Sequence, residues 1–429
     1  MTSPAGDYFV VSPNGPLSGT LEVGGAKNSA LKLMAATLLA EGRHVLTNVP
    51  RIRDVDIMTE VIEALGATVS RRSDGDLVID APPCDDLVPE APYELVERMR
   101  ASVVVLGPLL ARCGHARVSM PGGDDFGHRP IDIHLAGLGA MGTVFASAHG
   151  YVEGRVETSV GRPRLVGSHI VLEYPSHTAT DNLVMAAALA KGTTVIENAA
   201  REPEVADLAA FLNAMGAVVR GAGTSRIEVQ GVDELRPATH RVIPDRVVAA
   251  AFLAAVGLAG GDVVLADARP EHMDMLLRKL TSMGMGLELT PDGLRATAAG
   301  RLRSADVATL PYPGIATDYQ PFLVTMLSVA DGVGIVTENL FSGRFRYVDE
   351  LRRMGADVRT EGHHAVVRGV EKLSAAPVRA PDIRAGAALV LAGLVAEGET
   401  EVSAAHHVDR GFEDLAASLR SLGARVTRR

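Results

Sequence analysis

Apolar positions along the chain alternate between a helical period and a strand period of two, and the two succeed each other in a fixed order. Each helical stretch closes on Leu or Met, then Gly, then a residue that is usually small, after which a β-like run begins. The phrase appears at Leu65-Gly66-Ala67, Met141-Gly142-Thr143, Met215-Gly216-Ala217, Met283-Gly284-Met285, Met354-Gly355-Ala356 and Leu422-Gly423-Ala424. Its glycines recur about every 70 residues, a period long enough for several elements per unit. A glycine at this place reads as the residue just past a helix, in the left-handed conformation. Even spacing, with a helical pattern before each glycine, marks internal duplication rather than chance.

The first unit sets the reading for the others. Gly42 to Val49 is a short strand. Asp54 caps a helix from about Val55 to Leu65, whose Val55, Met58, Val61, Ile62 and Leu65 share one face. Thr68 to Ser70 and Leu77 to Ile79 form a hairpin across Ser73-Asp74-Gly75, and a second helix follows from Tyr93 to about Arg112. The third unit repeats this with Gly192 to Glu197, Glu204 to Met215, Val218 to Arg220, Ile227 to Val229 and a helix from about Asp245 to Leu258. The fifth gives Gly334 to Thr337, Tyr347 to Met354, Val358 to Arg359 and Ala365 to Arg368. The unit is therefore β-α-β-β with a further helix between units, and the class is α/β with mixed sheets. Six units exceed one small core. Two groups of three, broken near Arg236 to His240, are expected, with a ligand in the cleft between two lobes.

Composition narrows this picture. The chain of 429 residues is 47% apolar but only 4% aromatic, with no Trp, so its cores must be built of Ala, Val and Leu. The formal charge is −10 and the basic residues are scattered, which argues against nucleic acid as a partner. A local basic pocket for a small anion stays open. Cys84 and Cys113 make neither a disulfide framework nor a metal spacing, and a reducing cytoplasm fits them. Met1 to Tyr8 does not read as a signal peptide. The longest apolar runs, Val247 to Gly260 and Ala385 to Ala396, are too short and too rich in Ala and Gly to span a bilayer, so a soluble protein without a membrane partner is expected.

Several stretches carry chemistry as well as structure. Gly24-Gly25-Ala26-Lys27-Asn28 ends a strand and opens a helix, offering free N–H groups and a cation to a phosphate or carboxylate, though Lys27 also reads as an exposed helix-start lysine. It lacks the spacing of a P-loop. Between the β-like run Ala116 to Met120 and the possible helix Ile131 to Met141 lies a loop, Pro121-Gly122-Gly123-Asp124-Asp125-Phe126-Gly127-His128-Arg129-Pro130. Taken alone, it is a solvated turn with two carboxylates and a guanidinium. Arg100 reads as a snorkelling surface residue or a ligand. Asp318, after a Pro-rich loop, reads as an N-cap for a helix from Phe322 to Val329 or as a general base. Asp382 has the N-cap reading too, with Arg384 as a surface charge or an anion ligand, and Arg410 stands before the final helix. The pairs His363-His364 and His406-His407 lack metal-ligand spacing. His115, His128, His134 and His177 read as surface or hydrogen-bonding residues.

In this order, Gly24 to Asn28, Met99-Arg100-Ala101-Ser102, Pro121-Gly122-Gly123 with Gly127-x-Arg129-Pro130, Asn198-Ala199-Ala200-Arg201-Glu202-Pro203, Thr317-Asp318, Asp382-Ile383-Arg384-Ala385 and Asp409-Arg410-Gly411 resemble the UDP-N-acetylglucosamine 1-carboxyvinyltransferases. The resemblance covers nearly the whole chain. It implies a two-domain inside-out α/β barrel of the enolpyruvyl transferase kind, three units per domain, with residues 23–238 in one lobe and 1–22 plus 239–429 in the other. It also implies transfer of the enolpyruvyl group of phosphoenolpyruvate to the 3′-hydroxyl of UDP-N-acetylglucosamine, with no cofactor or metal, in the cytoplasm, as the opening step of peptidoglycan precursor synthesis.

On that resemblance, Lys27, Arg129 and Arg410 hold phosphoenolpyruvate with Arg384 close by, and Asn28, Arg100, Asp132 and Ser176 lie along the UDP-sugar. Pro130, Ile131, Ile133, Leu340 and Asp382 complete the substrate set. Asp318 takes the hydroxyl proton, and Lys27 and Arg410 also serve catalysis. The sequence departs from the family at Asp124, where most members carry Cys. A subset, notably in actinobacteria, shares the Asp. Asp124 can still be the acid for the methylene carbon if burial or Asp125 raises its pKa. It is a poor target for an epoxide, so insensitivity to fosfomycin is expected. Tyr174 to Asp181 also departs, since the family more often has Val-Gly-Ala-Thr in its later part, and this loop bears on the acceptor. Two rival readings follow: a specialised paralogue acting on another nucleotide or nucleotide sugar, and a nucleotide-sugar-binding regulator without catalysis. The sequence leaves the oligomeric state open.

Overall fold

The computed structural model describes residues 7–120, 131–157 and 163–429. All six repeats fold to one plan. A first strand leads into an outer helix, then two further strands return in the first five repeats and one in the sixth. In the first repeat these are Gly42–Thr47, Arg53–Ala64, Thr68–Arg71 and Leu77–Ala81; in the third they are Thr193–Glu197, Pro203–Ala214, Val218–Arg220 and Arg226–Gln230. Each repeat forms a four-stranded sheet in which the first strand is flanked by a parallel neighbour on one side and the antiparallel third strand on the other. The second strand pairs antiparallel at the far edge.

The six glycines of the recurring phrase all lie at positive φ, from 88° at Gly355 to 115° at Gly284. Each ends the outer helix and turns the chain into the next strand, as a left-handed C-terminal residue does. The opposite turn, from first strand to outer helix, uses a second left-handed position. Asn48, Asn198, Asp267 and Ala404 occupy it in four repeats, with φ between 53° and 60°.

One further helix precedes each repeat, and these are the buried ones. Every residue of Ile383–Gly393 is buried, as is every residue of Gln320–Val329 except Val329 and of Lys27–Ala36 except Asn28. The Ala residues of Lys27–Ala36 and the Ala and Gly residues of Ile383–Gly393 let backbones approach closely where larger residues would hold them apart. Sheets therefore lie outside and helices inside. This is the inside-out α/β arrangement.

Two hydrophobic cores result. One gathers side chains from Ala26 to Val242, the other from Val247 to Val426 together with Phe9, Val11, Leu17 and Val23. Backbone contacts divide the described residues in the same places, with those between 25 and 243 in one compact unit and 244–429 plus 7–24 in the other. The division falls just past the Arg236 to His240 segment because Thr239–Arg241 pairs in parallel with Gly42–Thr47 and completes the first repeat's sheet. The chain's start plays the matching part in the other unit. Leu17–Glu22 is the parallel neighbour of Gly261–Ala266. Tyr8–Ser12 lies between Thr400–Ser403 and Arg425–Arg428, antiparallel to both, in the place of the third strand missing from the sixth repeat.

The expected helix from Tyr93 to Arg112 is broken into a turn of helix at Tyr93–Val96, a 3-10 segment at Arg100–Val105 and a helix at Leu106–Cys113. Pro108 has no N–H to give to a preceding turn, so a helix cannot run straight through it. The Gly107 amide turns instead to the Asn182 side chain, 2.6 Å away. Asp54 is not the expected cap either: it lies inside the helix Arg53–Ala64, which has no side-chain cap at Ile52. No helix among the described residues is long and apolar enough to cross a membrane.

Candidate functional site

In the unit of residues 25–243, Gly25 brings the chain against the Asn48 turn. A Cβ there would lie 1.7 Å from the Asn48 carbonyl oxygen, so only glycine fits. The helix then begins at Lys27, and its ammonium lies 2.5 Å from the buried carboxylate of Asp54. Asp54 thus spends its charge on Lys27 rather than on a helix end. Nothing in the sequence separates these roles, because an acid in the first turn of a helix serves both. Asn28, the next residue, is the half-buried one in its helix.

Arg100 opens the 3-10 segment, Asp132 and Ile133 open the helix Asp132–Ala140, and Ser176 caps the helix His177–Ala187, accepting from the Ala179 amide at 3.4 Å. His134 stands one residue beyond Ile133 and is buried, so of its two readings, surface or hydrogen-bonding, the second holds. Burial, with the Arg100 guanidinium nearby, pushes its pKa down to about 4 against a smaller opposing pull from Asp132. Its ring contacts Asn182 at 3.0 Å and Thr178 at 3.4 Å.

Another buried cluster joins Lys32 to His177 and Asp181. Lys32 Nζ lies 3.5 Å from Asp181 Oδ2 and 3.4 Å from His177 Nε2. Burial raises the Asp181 carboxyl to about 7, with Lys32 pulling it down and Glu202 and Glu204 pushing it up. A neighbouring network ties Ser29 to Asp207, which also bonds His240 at 2.7 Å.

In the other unit, Asp318 lies in the turn Thr317–Tyr319 that precedes the helix Gln320–Val329. It does not cap that helix. Its Oδ1 accepts from Arg344 Nη2 and its Oδ2 from Arg384 Nε, both at 3.1 Å. Both guanidiniums are almost wholly buried, while Asp318 is 26% exposed, so the carboxylate is oriented by two buried cations and itself partly exposed. Arg344 had no signal in the sequence, being one of several arginines in Ser342 to Arg353. Buried Glu338 holds the adjoining loop: it accepts from Thr309 and Thr317 hydroxyls, each at 2.9 Å, and from the Leu340 amide at 2.8 Å.

Asp382 caps the helix Ile383–Gly393, accepting from the Arg384 and Ala385 amides at 2.8 and 3.0 Å. It therefore sets where Arg384 leaves the helix. Arg410 ends the turn Ala405–Arg410. The turn continues through Gly411 alongside Arg384, whose Nη1 would be 3.1 Å from any Cβ placed there. Asp124, Asp125, His128, Arg129 and Pro130 lie outside the described residues, as does the rest of the loop 121–130. Among the described residues no group of His, Cys, Asp and Glu gathers as a metal site, and the rings of His363 and His364 and of His406 and His407 rest on each other.

Residues 11–419 match the family model of EPSP synthase (3-phosphoshikimate 1-carboxyvinyltransferase). A relative from Mycobacterium tuberculosis, UDP-N-acetylglucosamine 1-carboxyvinyltransferase, is 51% identical over 423 residues, covering 98% of this chain and 99% of its own. Among solved structures, the enolpyruvyl transferase NikO from Streptomyces tendae superposes with a TM-score of 0.86 at 25% identity, covering 99% of each chain. EPSP synthase from Acinetobacter baumannii shares the fold, with a TM-score of 0.75 at 19% identity over 99% of this chain and 100% of its own.

Proposed function

Because the chain belongs to the EPSP synthase family of enolpyruvyl transferases, we propose that it transfers the enolpyruvyl group of phosphoenolpyruvate to the 3′-hydroxyl of UDP-N-acetylglucosamine, releasing phosphate. The observation that carries this reading is the Asp318 carboxylate, aimed by two buried guanidiniums, in a chain so close over its whole length to enzymes of that name. Such a carboxylate suits a general base that takes the hydroxyl proton as the oxygen attacks C2 of the enol. Attack requires a proton to be delivered to C3, and Asp124 is the group we assign to it. Loss of phosphate with return of a C3 proton then restores the vinyl ether, so atoms and charge balance.

Phosphoenolpyruvate presents two anionic groups, which suit Lys27, Arg129 and Arg410 with Arg384 beside them. Asn28, Arg100, Asp132 and Ser176 are assigned to the UDP-sugar, with Pro130, Ile131, Ile133, Leu340 and Asp382 around it. Product of this kind feeds peptidoglycan precursors, and a cytoplasmic setting suits both substrates and the two free cysteines. A second reading, a paralogue with another nucleotide acceptor, is favoured by the His177-Thr178 departure in the acceptor loop.

Phosphate release from phosphoenolpyruvate, followed with UDP-N-acetylglucosamine, UMP and shikimate 3-phosphate in turn, separates these. Release only with the UDP-sugar is expected, falling at least about 100-fold in Asp318→Asn. The same assay with fosfomycin should show undiminished turnover, since a carboxylate at position 124 offers the epoxide no thiolate. Release only with another acceptor moves the protein to the paralogue reading. Tight UDP-sugar binding without release makes it a regulator.

A further inference from the structure

Within the unit of residues 25–243, one buried pair ties together three elements that carry assigned acceptor ligands, those of Arg100, of Asp132 with Ile133, and of Ser176. The Asn182 side chain is fixed by its neighbours: Oδ1 accepts from the Gly107 amide at 2.6 Å and Nδ2 donates to the Val103 carbonyl at 3.1 Å. An amide flip would put donor on donor and acceptor on acceptor. The remaining Nδ2 hydrogen therefore points at His134 Nδ1, 3.0 Å away, which must carry a lone pair. It follows that the His134 proton sits on Nε2 and is given to the Thr178 hydroxyl, at 3.4 Å.

We propose that His134 and Asn182 are positioning residues for the acceptor: together they hold Arg100, Asp132, Ile133 and Ser176 in one fixed arrangement. The chain of contacts runs from the 3-10 segment that Arg100 opens, through Val103 and Gly107 to Asn182, and on to His134 in the helix that Asp132 and Ile133 open. It returns through Thr178 to the helix that Ser176 caps. Close approach reinforces it, for a Cβ on Gly137 would lie 2.6 Å from the Leu183 side chain and one on Gly107 2.5 Å from Asn182 Oδ1. Both side chains are buried, His134 at 3% exposure and Asn182 at 0%, and neither can contact a bulk-exposed ligand at length. Their role is exerted through the ligands they place. The charged groups acting on His134 are Arg100, from the 3-10 segment, and Asp132, on its own helix.

This inference rests on the acceptor assignment above, and two measurements keep the two apart. Amide hydrogen exchange on the intact chain judges the network without any substrate. In His134→Leu, peptides covering residues 99–108 and 176–183 should both lose protection, whereas in His134→Asn, whose Oδ1 can accept in place of Nδ1, they should keep it. Steady-state kinetics then judge positioning. His134→Leu should raise KM for the UDP-sugar about 10- to 100-fold, the scale of one or two lost buried hydrogen bonds, with KM for phosphoenolpyruvate within about twofold. His134→Asn should restore most of the acceptor KM. The proposal is overturned if protection in His134→Leu changes only around residue 134, if both KM values rise in step, or if His134→Asn is as impaired as His134→Leu. A wild-type chain that ignores the UDP-sugar refutes the acceptor assignment instead, and exchange still decides the network.

Discussion

Two buried titratable residues give the protein opposite sensitivities to acid. His134 is held neutral, its pKa lowered to about 4, so the folded chain binds fewer protons there than the unfolded chain between pH 6.5 and 4. Its contribution is present above pH 6.5 and is lost as the pH falls toward 4. Asp181 behaves in the reverse sense. Its carboxyl is raised to about 7, so the folded chain keeps a proton that the unfolded chain has released, and stability is lost as pH rises from about 4 to 7. Urea unfolding of wild type and Asp181→Asn across that range should show the wild type losing ground to the variant with rising pH, by on the order of 2–4 kcal/mol. His134→Asn should flatten the acid limb. Parallel curves would show that neither residue titrates as its burial implies. Residues of this kind are invisible in sequence: Asp181 looks like any helix acid, and His134 like a surface or hydrogen-bonding histidine after Asp132. Only depth distinguishes them.

At the scale of the element, the repeating glycines were legible because their requirement is local. A left-handed residue after a helix favours glycine whatever packs around it. Gly142, Gly216 and Gly423 have open space where a Cβ would go, so alanine there meets strain in the backbone and nothing else. Each Gly→Ala change should cost about 1–2 kcal/mol by urea midpoint. Gly66→Ala should cost more, since its Cβ would also come within 2.9 Å of the Asp86 carbonyl oxygen. Equal losses at all four would remove the steric part of this account. The broken helix at Tyr93 to Cys113 was not legible to the same degree. Its apolar pattern is helical, and Pro108 sits where a new helix can begin. What the sequence does not show is that the freed Gly107 amide is taken up by the Asn182 side chain, 75 residues away.

At the scale of the molecule, the first strand closes the last sheet. Phe9 and Val11 are buried in the core that the 244–429 segment builds, and Tyr8–Ser12 separates two strands from the end of the chain. Phe9→Ala should cost about 3–4 kcal/mol. Hydrogen exchange should rise in Thr400–Ser403 and Arg425–Arg428, with the core of residues 25–243 keeping its protection. Uniform loss across both cores would contradict two independently packed units. No periodicity announces this closure, because the pairing joins residues some 400 positions apart, and one short strand pattern fits many sheets.

The sequence by itself determined the repeat, the strand and helix order within it, the α/β class and, through motifs in a fixed order, the family. These depend on side-chain period and on backbone conformations that few residue types tolerate. The tertiary structure decided which charges meet. It paired Asp54 with Lys27 rather than with a helix end, and set Arg344 and Arg384 against Asp318. It also buried His134 against Asn182. An ion pair or a buried hydrogen bond is a matter of distance and dielectric, and neither exists until distant segments have packed.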